Sequence, residues 1–305
     1  MKKFLCIALA VVLTLSMVAA FAACSKDNGD TSTTAAGQET TAAAQKATEN
    51  QKVKVVDIEL SKEEYAFGVN KGDAELLKKT NELIKEIKEN GKFDEICEHY
   101  FGGGKPEPVM SAEEDSSKDQ LLVATNAAFE PFEFKKGEAY LGIDMEIAKL
   151  LADSLGKELV IKNMKFEAVI TSVQQGKADI AMAGLTVKPD RAKQVNFSDS
   201  YYNAAQKLVV KGDDTTFDAC KTKEDVEAIL AKYDASTVIG GQNGTTGQSY
   251  VQGDKEFGFT GLKTNWKGYD NASLAIQDLI NGNVNLVIID SAPAAAVTKA
   301  MNEMA

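Results

Sequence analysis

One arginine, one histidine and one tryptophan are spread over 305 residues, with five prolines and four cysteines. Each scarcity removes a class of function. Ser–His and Cys–His catalysis would both have to use His99. That residue stands in the stretch EICEHYF, at an expected helix end, where a solvated or capping role is expected. The cysteines, at positions 6, 24, 97 and 220, lie far apart, and with a single histidine they form no zinc pattern. The net charge of −11 is the opposite of the basic footprint that nucleic acid requires. Past the first two dozen residues no apolar run is long enough to span a bilayer. The GGGK at residues 102–105 lacks the spacing of a phosphate loop. No metal and no cofactor is called for.

The scarcity of arginine turns into a positive signal at Arg191. Lysine carries the rest of the positive charge, so the single guanidinium marks a place where a planar, bidentate donor is needed. It lies in ADIAMAGLTVKPDRAKQVNFSDSYY. Asp179 to Ala183 reads as a short buried strand. Gly184, Leu185 and Thr186 make a turn, and Pro189 suits the first turn of a short helix carrying Arg191. A strand end, backbone N–H groups and a guanidinium converge there, a plausible clamp for a small carboxylate. The competing reading is a surface salt bridge.

Met1 to Ala23 reads as a signal peptide, with Lys2 and Lys3, an apolar core and small residues before Cys24. Two fates are open: lipidation of Cys24, or ordinary cleavage after Ala22. Either puts the mature chain outside the cytoplasm. Residues 24–51 are polar and poor in large apolar groups, as a disordered tether would be. Val53 to Leu60 suggests a strand, and Tyr65 to Val69 another. Asp73 to Asn90 has helical spacing, with Asp73 as N-cap and Gly91 as stop. Phe93 to Phe101 makes a second helix, and residues 102–120 read as a linker. Beyond it, strands at Leu121–Thr125, Leu159–Asn163, Asp179–Ala183, Thr237–Gly240 and Asn285–Ile289 alternate with helices. These lie at 142–156, 167–175, 222–233 and 271–279. Such alternation implies an α/β fold with a mostly parallel sheet. The Gly-rich turn GQNGTTG after the fourth of these strands suits an anion or a polar head group. Asp290 sits at the carboxyl end of the last, where ligands of open α/β sheets bind. It is equally suited to cap the helix near Pro293.

The order Gly184, Leu185, Thr186, Arg191, then Val195, Phe197, Ser198 and Tyr201 resembles amino-acid-binding receptors of ABC transporters. VATNAAFEPFEF, GIDMEIAKLLADSLG, and Gln242, Gly244, Thr245 and Thr246 extend the likeness. So do Val287, Asp290 and Pro293. The resemblance implies a two-lobed, hinged, type II periplasmic-binding-protein fold. It implies that Arg191 holds the ligand α-carboxylate and Asp290 its α-ammonium. Gly184, Thr186, Gln242, Thr245 and Thr246 would contact the head group, with Asn126, Phe129 and Phe166 lining the site. Without the family, both phenylalanines read as core. The pattern departs at Lys188, where Thr or Ser is usual, and at Asn285, where Asp is usual.

The family's usual ending, LSKEEYAFGV through EICEHYF, here comes first, so the order looks circularly permuted, which surface termini permit. Residues 52–59 should be a strand of lobe two, beside Asn285–Ile289. Residues 60–101 and 121–203 should form lobe one, and 204–305 the rest of lobe two. The crossings should fall near 59–65 and 202–206. A gene remnant that docks nowhere, or a swap onto a second chain, competes with this reading. The expected function is a monomeric, extracytoplasmic, lipid-anchored receptor, not an enzyme, that delivers an amino acid to permease subunits. Neutral Asn126 and Gln242 favour a neutral polar amino acid such as glutamine. An enzyme of the same fold, such as a dehydratase, and an extracellular sensor are the alternatives.

Overall fold

The computed structural model describes residues 51–304, so the leader, Cys24 and nearly all of the tether lie outside the described residues. Strand β1 (Val53–Val56) opens the chain, followed by β2 (Glu63–Tyr65) and β3 (Gly68–Asn70). Helix α1 (Ala74–Glu89) buries Leu76, Thr80, Leu83, Ile84 and Ile87, one stripe at a 3.6-residue period. The Asp73 side chain caps it, accepting from the Leu76 N–H at 2.9 Å. Replacing Asp73 by alanine orphans that donor and should lower stability by about 1 kcal/mol in urea denaturation. An unchanged midpoint would mean that water replaces the cap at no cost. Helix α2 (Lys92–Phe101) follows after Gly91, whose φ of 83° suits glycine.

Strand β4 (Gln120–Thr125) precedes a small antiparallel sheet of β5 (Ala128–Phe129), β6 (Glu133–Lys136) and β7 (Ala139–Leu141). Then come α3 (Ile143–Leu155), β8 (Glu158–Asn163), α4 (Phe166–Gln174), β9 (Ile180–Ala181), α5 (Pro189–Ala192) and β10 (Val195–Phe197). The remainder is β11 (Tyr202–Ala204), β12 (Gln206–Lys211), α6 (Lys223–Leu230), β13 (Val238–Gln242), α7 (Thr246–Gln252), β14 (Asn265–Tyr269), α8 (Ala272–Ile280), β15 (Leu286–Asp290) and α9 (Ser291–Glu303).

Two five-stranded sheets result, in the orders β10-β3-β9-β4-β8 and β1-β12-β15-β13-β14. Both central regions are buried on two faces. In β15, Leu286 and Ile288 enter the core under α6 and α7, while Val287 and Ile289 enter the core under α8 and α9. That alternation explains the unbroken apolar run LVIID. Between the sheets, β2 and β11 pair antiparallel, Tyr65 opposite Tyr202 and Glu63 opposite Ala204. The two connections between lobes therefore run side by side as a hinge.

The sheets are mixed rather than mostly parallel. β4 pairs in parallel with β8 and β9, and β13 with β14 and β15, but β3 and β12 run antiparallel to both of their neighbours. Each enters its sheet directly from the hinge, without a crossover helix to reverse it. A second correction concerns β1. It joins the second sheet, but beside β12, with Val53 opposite Lys211 and Val56 opposite Leu208. β12 separates it from β15, where it was expected. A third concerns His99. Rather than being solvated, it contacts the buried Glu146 through Nδ1 at 2.9 Å, and Tyr100 donates to the same carboxylate at 2.6 Å. The Glu107 N–H also donates there, which ties residue 107 of the linker to α2 and α3.

Candidate functional site

Between the sheets lies a cavity lined by Phe129, Phe166, Gly184, Thr186, Arg191, Gln242, Thr245, Thr246 and Asp290. All nine were singled out in the sequence. The tenth, Asn126, stands behind Gln242, whose Nε2 donates to its Oδ1 at 2.8 Å. The cavity measures about 10 Å³, room for one water molecule. A larger ligand enters only if the walls separate, and the walls belong to different lobes.

Local structure explains how each group reaches the cavity. Gly184 follows β9 with φ 52°, and a Cβ there would come within 2.8 Å of the Phe129 ring. Its N–H donates to Asp144 Oδ2 at 2.9 Å, and Tyr201 donates to the other oxygen at 2.6 Å. The turn is thus pinned from beneath by a buried carboxylate. Burial pushes the Asp144 carboxyl up to about 7, against the pull of these two donors. Pro189 opens α5, which carries Arg191. On the opposite lobe, β13 ends at Gln242, the Gly244 turn follows, and α7 starts at Thr246. Thr246 donates across the cleft to the Thr186 hydroxyl at 3.1 Å.

Arg191 is 6% exposed. Nη1 donates to the Thr186 carbonyl at 2.9 Å and Nη2 to the Gly244 carbonyl at 3.0 Å, and the guanidinium lies 5.3 Å from the Phe166 ring centre. Among the described residues no carboxylate pairs with it, which removes the surface salt bridge. Asp290 is 5% exposed and no lysine or arginine pairs with it among those residues. Although it occupies the N-cap position of α9, its side chain makes no cap bond. It accepts instead from the Tyr65 hydroxyl at 2.6 Å. Burial, and next the nearby Glu63, push the Asp290 carboxyl up to about 7. A buried guanidinium and a buried carboxyl group thus face one cavity, and among the described residues neither is held in an ion pair.

Sequence reasoning missed Glu63 and Tyr65. Glu63 is 4% exposed and sits at the hinge. It accepts from Thr186 at 2.7 Å, Ser61 at 2.6 Å and Gln206 at 3.1 Å. It therefore fixes the Thr186 hydroxyl from outside the cavity. The only available signal was the in–out–in burial that a strand reading of Glu63–Glu64–Tyr65 implies.

The fold is that of a two-lobed binding protein of the type II periplasmic class, and its cavity brings together a buried guanidinium, Arg191, and a buried carboxyl group, Asp290. Residues 121–285 match the profile of the bacterial extracellular solute-binding proteins, family 3, and the chain belongs to that family. It is similar to the arginine-binding extracellular protein ArtP of Bacillus subtilis, 40% identical over 99 residues, which cover 32% of this chain and 39% of the relative. It is also similar to the ABC transporter arginine-binding protein 1 of Escherichia coli, 30% identical over 179 residues, covering 58% and 65%. The matches thus span between two fifths and two thirds of these relatives. Among solved structures, an ancestral amino acid-binding protein described as a precursor of cyclohexadienyl dehydratase superposes with a TM-score of 0.51 at 34% identity. That superposition covers 60% of this chain and 75% of the other.

Proposed function

We propose that this chain is the extracytoplasmic receptor of an amino-acid ABC importer, closing its lobes on one free amino acid and presenting it to permease subunits. Arg191 takes the α-carboxylate and Asp290 the α-ammonium. Gly184, Thr186, Thr245 and Thr246 surround the head group, and Phe129 and Phe166 wall the apolar part. The carrying observation is a buried guanidinium and a buried carboxyl group on one cavity, neither held in an ion pair among the described residues. A zwitterion answers both, which an anion or a cation alone does not. Binding without turnover is the reading, with the chain acting as a monomer.

At the cavity wall Gln242 presents a neutral carboxamide, backed by Asn126, whose Oδ1 accepts from Gln242 Nε2 at 2.8 Å. The Gln242 carboxamide suits a neutral polar side chain such as that of glutamine. The names of the relatives favour arginine as a second reading. A thermal-shift screen of the twenty amino acids and cystine separates the two. A ligand at 100 times its dissociation constant adds about 2.7 kcal/mol of stability. No shift with any of them would remove the proposed function.

Circular permutation is part of the same proposal, and with it the division into lobes. Supporting it, residues 53–101 supply β1 to one sheet and β3 to the other within the same chain. The end of α9 also meets the start of β1. Asn302 Oδ1 accepts from the N–H groups of Lys52 at 2.9 Å and Val53 at 3.2 Å, and its Nδ2 donates to the Val53 carbonyl at 2.9 Å. In the unpermuted order that junction would be continuous chain. A signal peptide and a lipid on Cys24, holding lobe two to the membrane through the tether, complete the proposal.

A further inference from the structure

We propose that Lys188 is a positioning residue that clamps the two lobes shut over the cavity without touching its contents. The side chain leaves lobe one at the N-terminus of α5 and is only 5% exposed. Its Nζ lies 2.9 Å from Asp254 Oδ2 and donates to Ser249 Oγ at 2.7 Å, both on lobe two. The Phe257 ring centre is 5.8 Å away, and Asp190, on its own lobe, is 3.7 Å away. The bond from Lys188 holds the Asp254 carboxyl below the usual carboxylate range.

The position of the clamp gives it leverage. Lys188 precedes Arg191 by three residues, and α7 carries Thr246 at the cavity and Ser249 at the clamp. The two short helices that wall the ligand are thus the two that Lys188 joins. A lysine this deeply buried is tolerated only with its partners in place. Separating the lobes would strip it of both and return it to water. Among the described residues two other ion pairs cross the cleft, Lys193–Glu256 and Lys165–Asp270, but all four side chains are more than half exposed. Exposed pairs of that kind contribute little. Threonine or serine, usual in the resembling family at this position, is too short to reach Asp254 in this way.

The step from clamp to ligand retention rests on the binding function proposed above, so the test has two parts. Hydrogen–deuterium exchange on the full chain needs no ligand. Lys188→Met should speed exchange in the segments 184–192 and 245–254 while leaving β4 and α3 unchanged, and Lys188→Arg should restore protection. Uniform acceleration, or none, would overturn the clamp. Asp254→Asn should loosen the same segments from the other lobe, which covers the case in which Lys188→Met fails to fold. With L-glutamine and L-arginine as probes, Lys188→Met should raise the dissociation rate roughly 30-fold with little change in association. Exposed Lys193→Met should change neither. An unchanged dissociation rate for a probe that binds the parent would also overturn the clamp. If neither probe binds the parent, the best amino acid of the thermal-shift screen replaces them; if none binds, the binding function fails, and exchange still decides the clamp.

Discussion

Arg191→Lys should lose nearly all affinity for the amino acid while the fold survives. Lysine retains the charge but not the fork. It cannot hold the Thr186 and Gly244 carbonyls, one on each lobe, and still offer two parallel donors to a carboxylate. A desolvated charge-assisted contact of this kind is worth on the order of 2–5 kcal/mol, or from 30-fold to several thousand-fold in the dissociation constant. Calorimetry on the purified chain measures the loss, and circular dichroism checks the fold. Affinity equal to that of the parent would take Arg191 out of the site.

Acidification should pull stability and binding in opposite directions. The Asp290 and Asp144 carboxyls are each pushed up to about 7, well above the usual aspartate value, and burial also raises Glu133 well above its own. The native state therefore holds these protons more tightly than the unfolded chain does. Their contribution to stability is complete below the ordinary carboxylate range and is lost as pH rises through about 7. On these groups alone, the ligand-free protein should be more stable near pH 5 than near pH 8. Ligand binding needs Asp290 ionised, since only the carboxylate neutralises an ammonium. Affinity should fall as pH drops below about 7, by up to roughly tenfold per unit, with one proton released per ligand bound at pH 6. Asp290→Asn should bind far more weakly at pH 8 and show no such slope. A mutant that binds as tightly as the parent would leave Asp290 as a helix end and nothing more.

The helices and the turns around Gly184 and Gly244 were legible because their signals are local. Asp73 before a periodic apolar stripe, Pro189 before Arg191 and the glycine turn at Gly244 each announce themselves within a few residues. Phe129 and Phe166 were legible only through resemblance, since an aromatic wall and an aromatic core look alike in sequence. What stayed hidden depends on contacts between distant segments. Nothing in VKVV tells whether β12 or β15 will be its neighbour, because both are apolar strands of similar length. Glu63 and Lys188 are charged residues in local sequence that gives no sign of burial. Their burial, to 4% exposure each, exists only once the hinge strands pair and the lobes meet. The lone arginine was the exception: a single residue whose rarity pointed at the site before any fold was known.

We propose that Arg191 and Asp290 together read the two charges of an amino-acid head group. Titrating the parent chain with the best amino acid of the screen, with its methyl ester and with its des-amino analogue tests that directly. Tight one-to-one binding of the amino acid is expected, with a loss of at least about 2 kcal/mol for each analogue, since the ester gives Arg191 no carboxylate and the des-amino analogue gives Asp290 no ammonium. Equal affinity for either analogue would contradict it.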